Sequence, residues 1–220
     1  LIFDDQDKDL SIADRKKVMK LAADKGVKIT DQAAEKLKAK LQVMACSPEQ
    51  GGYYQAVKLL TPLTEGELQL CIEWLAKGKI TVADIKDVFP ELYHYMEPMT
   101  LNSLDTSTQW ITDYFDAYRR SKIANFIDPQ IDALISEKNA NAAAHMAWVD
   151  NFKTVKTVLH NRKDIDVIYW IDGLGVDWIP FIRDIVARYS KEHVYLNEVY
   201  VASAKRPTTT SVNKAVLQSL

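Results

Sequence analysis

The apolar positions in the first part of the chain recur with helical spacing. Over residues 11–96, short apolar runs follow capping residues such as Thr64 and either Thr30 or Asp31, and they end near Gly78 or Pro90. A hydroxyl residue before an apolar-periodic run marks a helix start, and glycine or proline after it marks a stop. The pattern therefore predicts a series of short helices, typical of a helical bundle or an array of helical pairs.

A turn-rich segment at residues 97–107 ends this pattern, and the apolar residues beyond it return with helical spacing. Asp128-Pro129 interrupts the new pattern, because proline does not continue a helix, and a further amphipathic run follows. We therefore expect a helical domain over residues 1–104 and a long-helix region over residues 105–163.

The periodicity changes at about residue 164. The run from Ile165 to Ile171 is β-branched and aromatic almost throughout, which is typical of a strand buried on both faces of a parallel sheet. Trp178 to Tyr189 returns to helical spacing, and Val194 to Ala202 has the pattern of a second strand. Parallel strands joined by a helix form a right-handed crossover, so their carboxyl ends lie at one edge of the sheet. The predicted fold class is a mostly α N-terminal region followed by the start of an α/β parallel-sheet domain over residues 164–220.

Candidate chemistry stands where each predicted strand ends. Asp172 follows the first strand, and the two glycines just after it let the chain turn tightly around a cation bound by this carboxylate. Thr208, Thr209 and Thr210 follow the second strand at a predicted helix start, where backbone N–H groups stabilise an alkoxide and an incoming phosphate. Helix capping explains either motif taken alone. Their pairing on consecutive parallel strands predicts a metal-assisted phosphoryl-transfer site.

Composition and charge exclude several classes. The chain has 220 residues, 47% apolar and 26% charged, with a formal net charge of -2, so direct nucleic-acid binding is not expected. The sequence has no apolar run of about 18 residues, and residues 1–5 lack the basic region of a signal peptide. Cys46 and Cys71 lie far apart and are expected to be reduced and core-facing. We therefore expect a cytoplasmic protein without membrane contact. Because the chain starts without Met and ends in a predicted helix, we also expect a fragment of a longer protein.

Two segments resemble a known family. The order of an aspartate after a core strand and a hydroxyl residue at a following helix start resembles the alkaline phosphatase superfamily. More narrowly, Ile168–Ile179 followed by Arg206–Lys214 resembles the opening of a PglZ domain, from the BREX phage-defence systems of bacteria. The resemblance covers residues 164–220 closely, whereas the helical part fits the N-terminal extension of a family member only loosely.

The resemblance implies a role for each candidate residue. Asp172 is then the first metal ligand, and the metal in the complete protein is zinc or manganese. The phosphodiesterase branch of the superfamily carries a Pro-Thr-x-Thr-x-x-Asn pattern, which falls on Pro207, Thr208, Thr210 and Asn213. This register makes Thr210 the nucleophile, with Thr208 and Thr209 as the alternatives, and it directs Asn213 towards a phosphate oxygen.

The chain departs from the family in its remaining ligands. A two-metal site needs about six protein ligands, and the family supplies the others after the nucleophile helix. All four histidines of this chain precede Thr210, and none has a second His or a Cys three or four residues away as a ligand partner. We therefore expect no tightly bound metal and no hydrolysis by the chain as given, and whether it belongs to an active enzyme stays open at this point.

Two functions follow from the sequence. The first is the N-terminal portion of a PglZ-type, metal-dependent phosphatase or phosphodiesterase of bacterial phage defence, with other defence proteins as partners and a homodimer as a further arrangement. The alternative is a non-enzymatic scaffold for protein interaction in a defence complex. Exposed aromatic residues would favour the scaffold. The candidates are Tyr53, Tyr54, Trp110, Tyr114 and Tyr118.

Overall fold

The computed structural model of this chain is mostly helical. It describes residues 12–102, 104, 108–140, 152–160, 162, 164–165, 167–169, 171, 173–190, 193–205 and 208–218. The α-helices among these residues are α1 (Ile12–Asp24), α2 (Asp31–Ala45), α3 (Gly52–Leu59), α4 (Glu65–Ala76), α5 (Pro90–Met96), α6 (Trp110–Ala124), α7 (Pro129–Asn139), α8 (Val155–His160), α9 (Ile179–Tyr189) and α10 (Thr210–Gln218). Short 3₁₀ helices lie at Pro48–Gln50, Val82–Ile85 and Val176–Trp178.

The described residues up to 97, together with 122–126, form one compact unit, and those of 98–121 and from 127 onward form a second. The sequence-based division at residues 104 and 163 stays a prediction.

The first unit is built around an extensive apolar core. Helix α2 contacts α3 and α4, and Trp74 of α4 is the largest of the fully buried side chains in the described chain. The ring of Tyr53 packs edge-on against it, with 5.5 Å between ring centroids. The buried members of this core are Leu37, Leu41, Ala45, Ala56, Val57, Leu60, Leu70, Cys71, Trp74, Ile80, Ile85, Val88 and Phe89. Burial of each large side chain in this set contributes about 1.5–3 kcal/mol, so the helices are held together mainly by these contacts.

The helix starts agree with the capping pattern of the sequence. The Thr30 hydroxyl accepts a hydrogen bond from the amide of Ala33 at 3.3 Å, and the Thr64 hydroxyl accepts one from the amide of Glu67 at 3.2 Å. The Asp128 carboxylate starts α7 in the same way. Since the first amides of a helix have no acceptor within it, each cap determines where its helix begins.

The second unit has a smaller core among its described residues. Its buried cluster consists of Met99, Leu101 and Ile111, with half-buried residues such as Trp110 and Phe152 packed against it. Helix α9 matches the helix predicted between the two strands, with its start at Ile179 instead of Trp178.

The described residues do not form the two predicted strands. Val167, Tyr169 and Ile171 are 63%, 86% and 66% exposed, so the expected burial on both faces is not found in this run. The segment 194–202 forms neither helix nor strand and makes no ladder with residues 165–171 in the described chain. An apolar run supplies only side chains suited to a sheet, whereas a strand also needs the backbone of a neighbour.

Pairing of extended segments in the described chain is limited to one parallel bridge, between Thr154 and Ser203. The amide of Val155 donates to the Ser203 carbonyl at 3.2 Å, and the amide of Ser203 donates to the Lys153 carbonyl at 3.0 Å. Ser203, the residue after the second predicted strand, therefore pairs with the segment before α8.

The two cysteines are free thiols in different surroundings. Cys71 is buried, as expected, and burial raises the pKa of its thiol to about 12. Cys46 is exposed, so its predicted core position is wrong; it follows α2, where that helix has already ended.

No described helix is long and apolar enough to cross a lipid bilayer.

Candidate functional site

Three threonines lie at the start of α10. Thr208, Thr209 and Thr210 are exposed, and the helix begins at Thr210. The backbone amide of Asn213 donates to the Thr209 carbonyl at 3.2 Å, which closes the first turn. The hydroxyls of Thr209 and Ser211 are 3.4 Å apart. The predicted threonines thus stand where a ligand from solvent can reach them.

The side chain of Asn213 connects this helix to the segment before the threonines. It is buried, with 8% of its surface exposed. Its Oδ1 accepts a hydrogen bond from the amide of Lys205 at 2.8 Å, and its Nδ2 donates to the carbonyls of Lys205 and Thr209, each at 3.1 Å. Because the Lys205 amide can only donate, the orientation of the Asn213 amide is determined. Both Nδ2 protons are used, so Asn213 positions the described residues 205 and 208–210, which we call the threonine loop. Its predicted contact with a phosphate oxygen stays a prediction.

A cavity of about 350 Å³ lies beside this loop. Its lining combines the ends of the parallel bridge with one side of α10, and Asn213 contributes to its wall. The lining residues are Thr154, Val155, Lys156, Ser203, Ala204, Lys205, Asn213 and Val216. Ligand cavities in proteins are commonly about 300–1,000 Å³, so this one is large enough for a small molecule.

Asp172 lies outside the described residues, but the turn after it is described. Gly173 has φ of 71°, a left-handed conformation that favours glycine. At Gly175, an added Cβ would lie 2.2 Å from Oδ1 of Asp177, whose side chain is buried. The helical spacing predicted from Trp178 onward assigns no role to Asp177. Its carboxylate instead lies against the Gly175 backbone, and the signal for this was an acid two residues after a glycine.

The described residues include no group of three or more His, Cys, Asp or Glu side chains arranged to hold a metal ion. Two described histidines lie on helices, His94 with its Nδ1 2.7 Å from a Glu97 oxygen and His160 in the last turn of α8, whereas His193 follows α9. The fourth, His145, lies outside the described residues. The described donors therefore do not make up a site for a divalent cation.

No family model matches the chain, and searches of curated proteins and of solved structures find no match either.

Proposed function

We propose that this chain contains the first part of a PglZ-type, metal-dependent phosphatase or phosphodiesterase site of bacterial phage defence. In this proposal residues 164–220 begin an alkaline phosphatase-like α/β domain, and the chain alone is catalytically incomplete. The protein is cytoplasmic, and its partners are other phage-defence proteins or a second copy of itself. The observation that carries the proposal is the exposure of Thr208–Thr210 at the start of α10.

The helix start supports this role for a physical reason. The first amides of a helix have no acceptor within it, and the helix dipole favours negative charge at this end. A phosphate oxygen beside Thr210 therefore meets backbone donors while the threonine Oγ faces phosphorus. The Asn213 hydrogen bonds hold the approach to the helix, so the hydroxyl is positioned before a substrate arrives.

The metal enters only through the resemblance. The described residues do not supply its ligands, so we derive no step through it. In the proposal Asp172 is the first ligand of the metal, which is zinc or manganese. The remaining metal ligands belong to a part of the full-length protein outside residues 1–220.

The test is hydrolysis of an aryl phosphate monoester and diester by the full-length protein with zinc or manganese added. We expect turnover that falls by at least about 10³-fold in Thr210→Ala, because a nucleophile has no substitute in the site. Thr208→Ala and Thr209→Ala decide the register, since the largest loss identifies the nucleophile.

Lys214→Ala is the matched control, because Lys214 is exposed on the same helix and belongs to none of these contacts. Full activity of all three threonine variants would contradict the assignment of the nucleophile to this loop.

A protein-interaction scaffold is the alternative. Among the five aromatic residues that would favour it, Tyr54 is 60% exposed and Tyr118 is 36% exposed. Tyr53, Trp110 and Tyr114 are half-buried against other side chains. Three of these five aromatic residues therefore contribute less exposed surface than the scaffold hypothesis expects. Absence of turnover by a folded, metal-loaded full-length protein would favour it nevertheless.

A further inference from the structure

The cavity beside the threonine loop has a one-sided charge. Lys156 and Lys205 line it, and none of its described lining residues is acidic. Neither ammonium group has an ion-pair or hydrogen-bond partner in the described structure. By contrast, Lys77 is paired with Glu73 at 2.6 Å, and Lys138 is paired with Glu137 at 2.8 Å. Two unpaired cations around one cavity attract an anion.

The neutral polar groups of the lining are already satisfied. The Ser203 hydroxyl donates to the Phe152 carbonyl at 3.3 Å, and the Thr154 hydroxyl accepts from the amide of Thr157 at 3.1 Å. The Asn213 amide is used in full by Lys205 and Thr209. The two ammonium groups are therefore the lining groups with the most unused hydrogen-bonding capacity.

Val155, Ala204 and Val216 make up the apolar part of the lining. An apolar surface next to unpaired cations suits a molecule with an apolar body and an anionic end, because burial of the body and charge-assisted hydrogen bonds at the end stabilise the same pose. A free inorganic anion would leave the apolar surface uncovered.

We propose that this cavity binds a small organic anion, with its charged end between the ammonium groups of Lys156 and Lys205. Its apolar body lies against Val155, Ala204 and Val216. The inference goes beyond the proposed function, and it rests on that function only in the choice of a phosphate ester as the first probe. The backbone of Lys205 is hydrogen-bonded to the Asn213 side chain. An anion bound by the Lys205 ammonium group therefore contacts the same loop that carries the threonines.

The experiment is a calorimetric titration of the protein with phenyl phosphate in the presence of a chelator, so that no metal contributes. Phenol and inorganic phosphate are titrated separately. We expect phenyl phosphate to bind more tightly than either. Lys156→Met and Lys205→Met keep the apolar stems and remove the charges, and each should weaken binding roughly tenfold, in line with the loss of one charge-assisted hydrogen bond.

Lys153→Met is the matched control. Lys153 is exposed and contributes its carbonyl to the same bridge, but its side chain does not line the cavity. The affinity of the Lys153→Met variant for phenyl phosphate should therefore equal that of the wild type. Ala204→Phe fills the cavity and should abolish binding while circular dichroism shows an unchanged helix content.

The proposal is overturned if the wild type does not bind phenyl phosphate, or if the double lysine variant binds it as tightly as the wild type does. Equal affinity for phenyl phosphate and inorganic phosphate would also overturn it, since the apolar surface would then play no part. Thr210→Ala should retain binding. If hydrolysis survives in all three threonine variants, the proposed nucleophile fails while the binding result stands, so the two failures are distinguishable.

Discussion

A single buried carboxylate organises the start of α4. The Glu67 side chain is fully buried. Its Oε1 accepts hydrogen bonds from the amide and the hydroxyl of Thr61 at 2.7 and 2.8 Å, and its Oε2 accepts one from the Thr64 hydroxyl at 2.8 Å. Burial raises the pKa of this carboxyl above its usual value, and the donors from Thr64 and Thr61 offset part of that rise. The group is thus fully hydrogen-bonded but still costly to ionise.

The raised pKa predicts how stability depends on pH. A carboxyl whose folded-state pKa exceeds its unfolded value stabilises the fold most below the unfolded value, about 4.3 for glutamate. That contribution is lost as the pH rises through the folded-state value. The unfolding free energy of the wild type minus that of Glu67→Gln should therefore fall as the pH is raised from about 4 to 7. Urea denaturation of both proteins at several pH values measures this difference.

Two further variants sharpen the test. Glu65→Gln removes a charge from the same helix start, but its side chain is exposed to water, so the same fall should be absent. Glu67→Ala leaves the Thr61 amide without its acceptor and should cost about 3 kcal/mol near pH 4. That cost should fall towards pH 7 as it does for Glu67→Gln, because both variants lack the carboxyl whose pKa is raised. A difference between wild type and Glu67→Gln that rises with pH would contradict the assignment of burial as the dominant effect.

At the scale of elements, the start of α10 depends on one asparagine. Three hydrogen bonds join the buried Asn213 amide to the backbone of Lys205 and Thr209. Asn213→Ala removes all three, whereas the nearly isosteric Asn213→Asp keeps the acceptor but turns two donated bonds into contacts between oxygens. We expect both variants to open the loop, with amide exchange at Lys205 accelerated at least about tenfold.

Hydrogen exchange followed by NMR measures that effect, and Gln218→Glu near the other end of α10 is the control for adding a charge to this helix. Unchanged protection of the Lys205 amide in Asn213→Ala would show that the side chain does not hold the loop.

The elements differ in how well the sequence predicted them, and the reason is the range of the interactions involved. The caps at Thr30 and Thr64 were predictable because a hydroxyl and the amide three residues later meet whenever the helix forms. The start of α10 beside the threonines was predictable on the same local grounds.

The extended segments were not predictable in this way. The run 165–171 has the composition of a buried strand, yet its described side chains are mostly exposed, because strand formation depends on a partner that the local pattern does not specify. The bridge from Ser203 to Thr154 joins residues about fifty positions apart, and no spacing rule identifies it. The hydrogen bonds from the Asn213 side chain to the backbone of Lys205 and Thr209 were not predicted for a related reason. A sequence motif specifies a residue type but not its hydrogen-bond partners.

At the scale of the whole molecule, the two units differ in how much apolar surface they bury. Among the described residues, the first unit has a continuous core of thirteen buried residues that includes Trp74, whereas the buried cluster of the second unit has three. Hydrophobic burial is the dominant favourable term in folding, and a unit with a small core retains little net stability. We therefore expect unequal local stability along the chain.

The expected outcome is that the first unit resists urea longer than the second. Hydrogen exchange followed by mass spectrometry at increasing urea concentration measures both units in one sample without any substitution. Peptides from residues 37–60 and 65–76 should keep their protection to a higher urea concentration than peptides from residues 99–102 and 179–189, because the amides of the first unit become exposed only when the larger core opens.

Leu70→Ala, which removes a side chain with 1% exposure, should destabilise the first unit by about 2–5 kcal/mol and move its unfolding transition to a lower urea concentration. Loss of protection at one common urea concentration in the wild type would mean that core size does not govern stability in this chain.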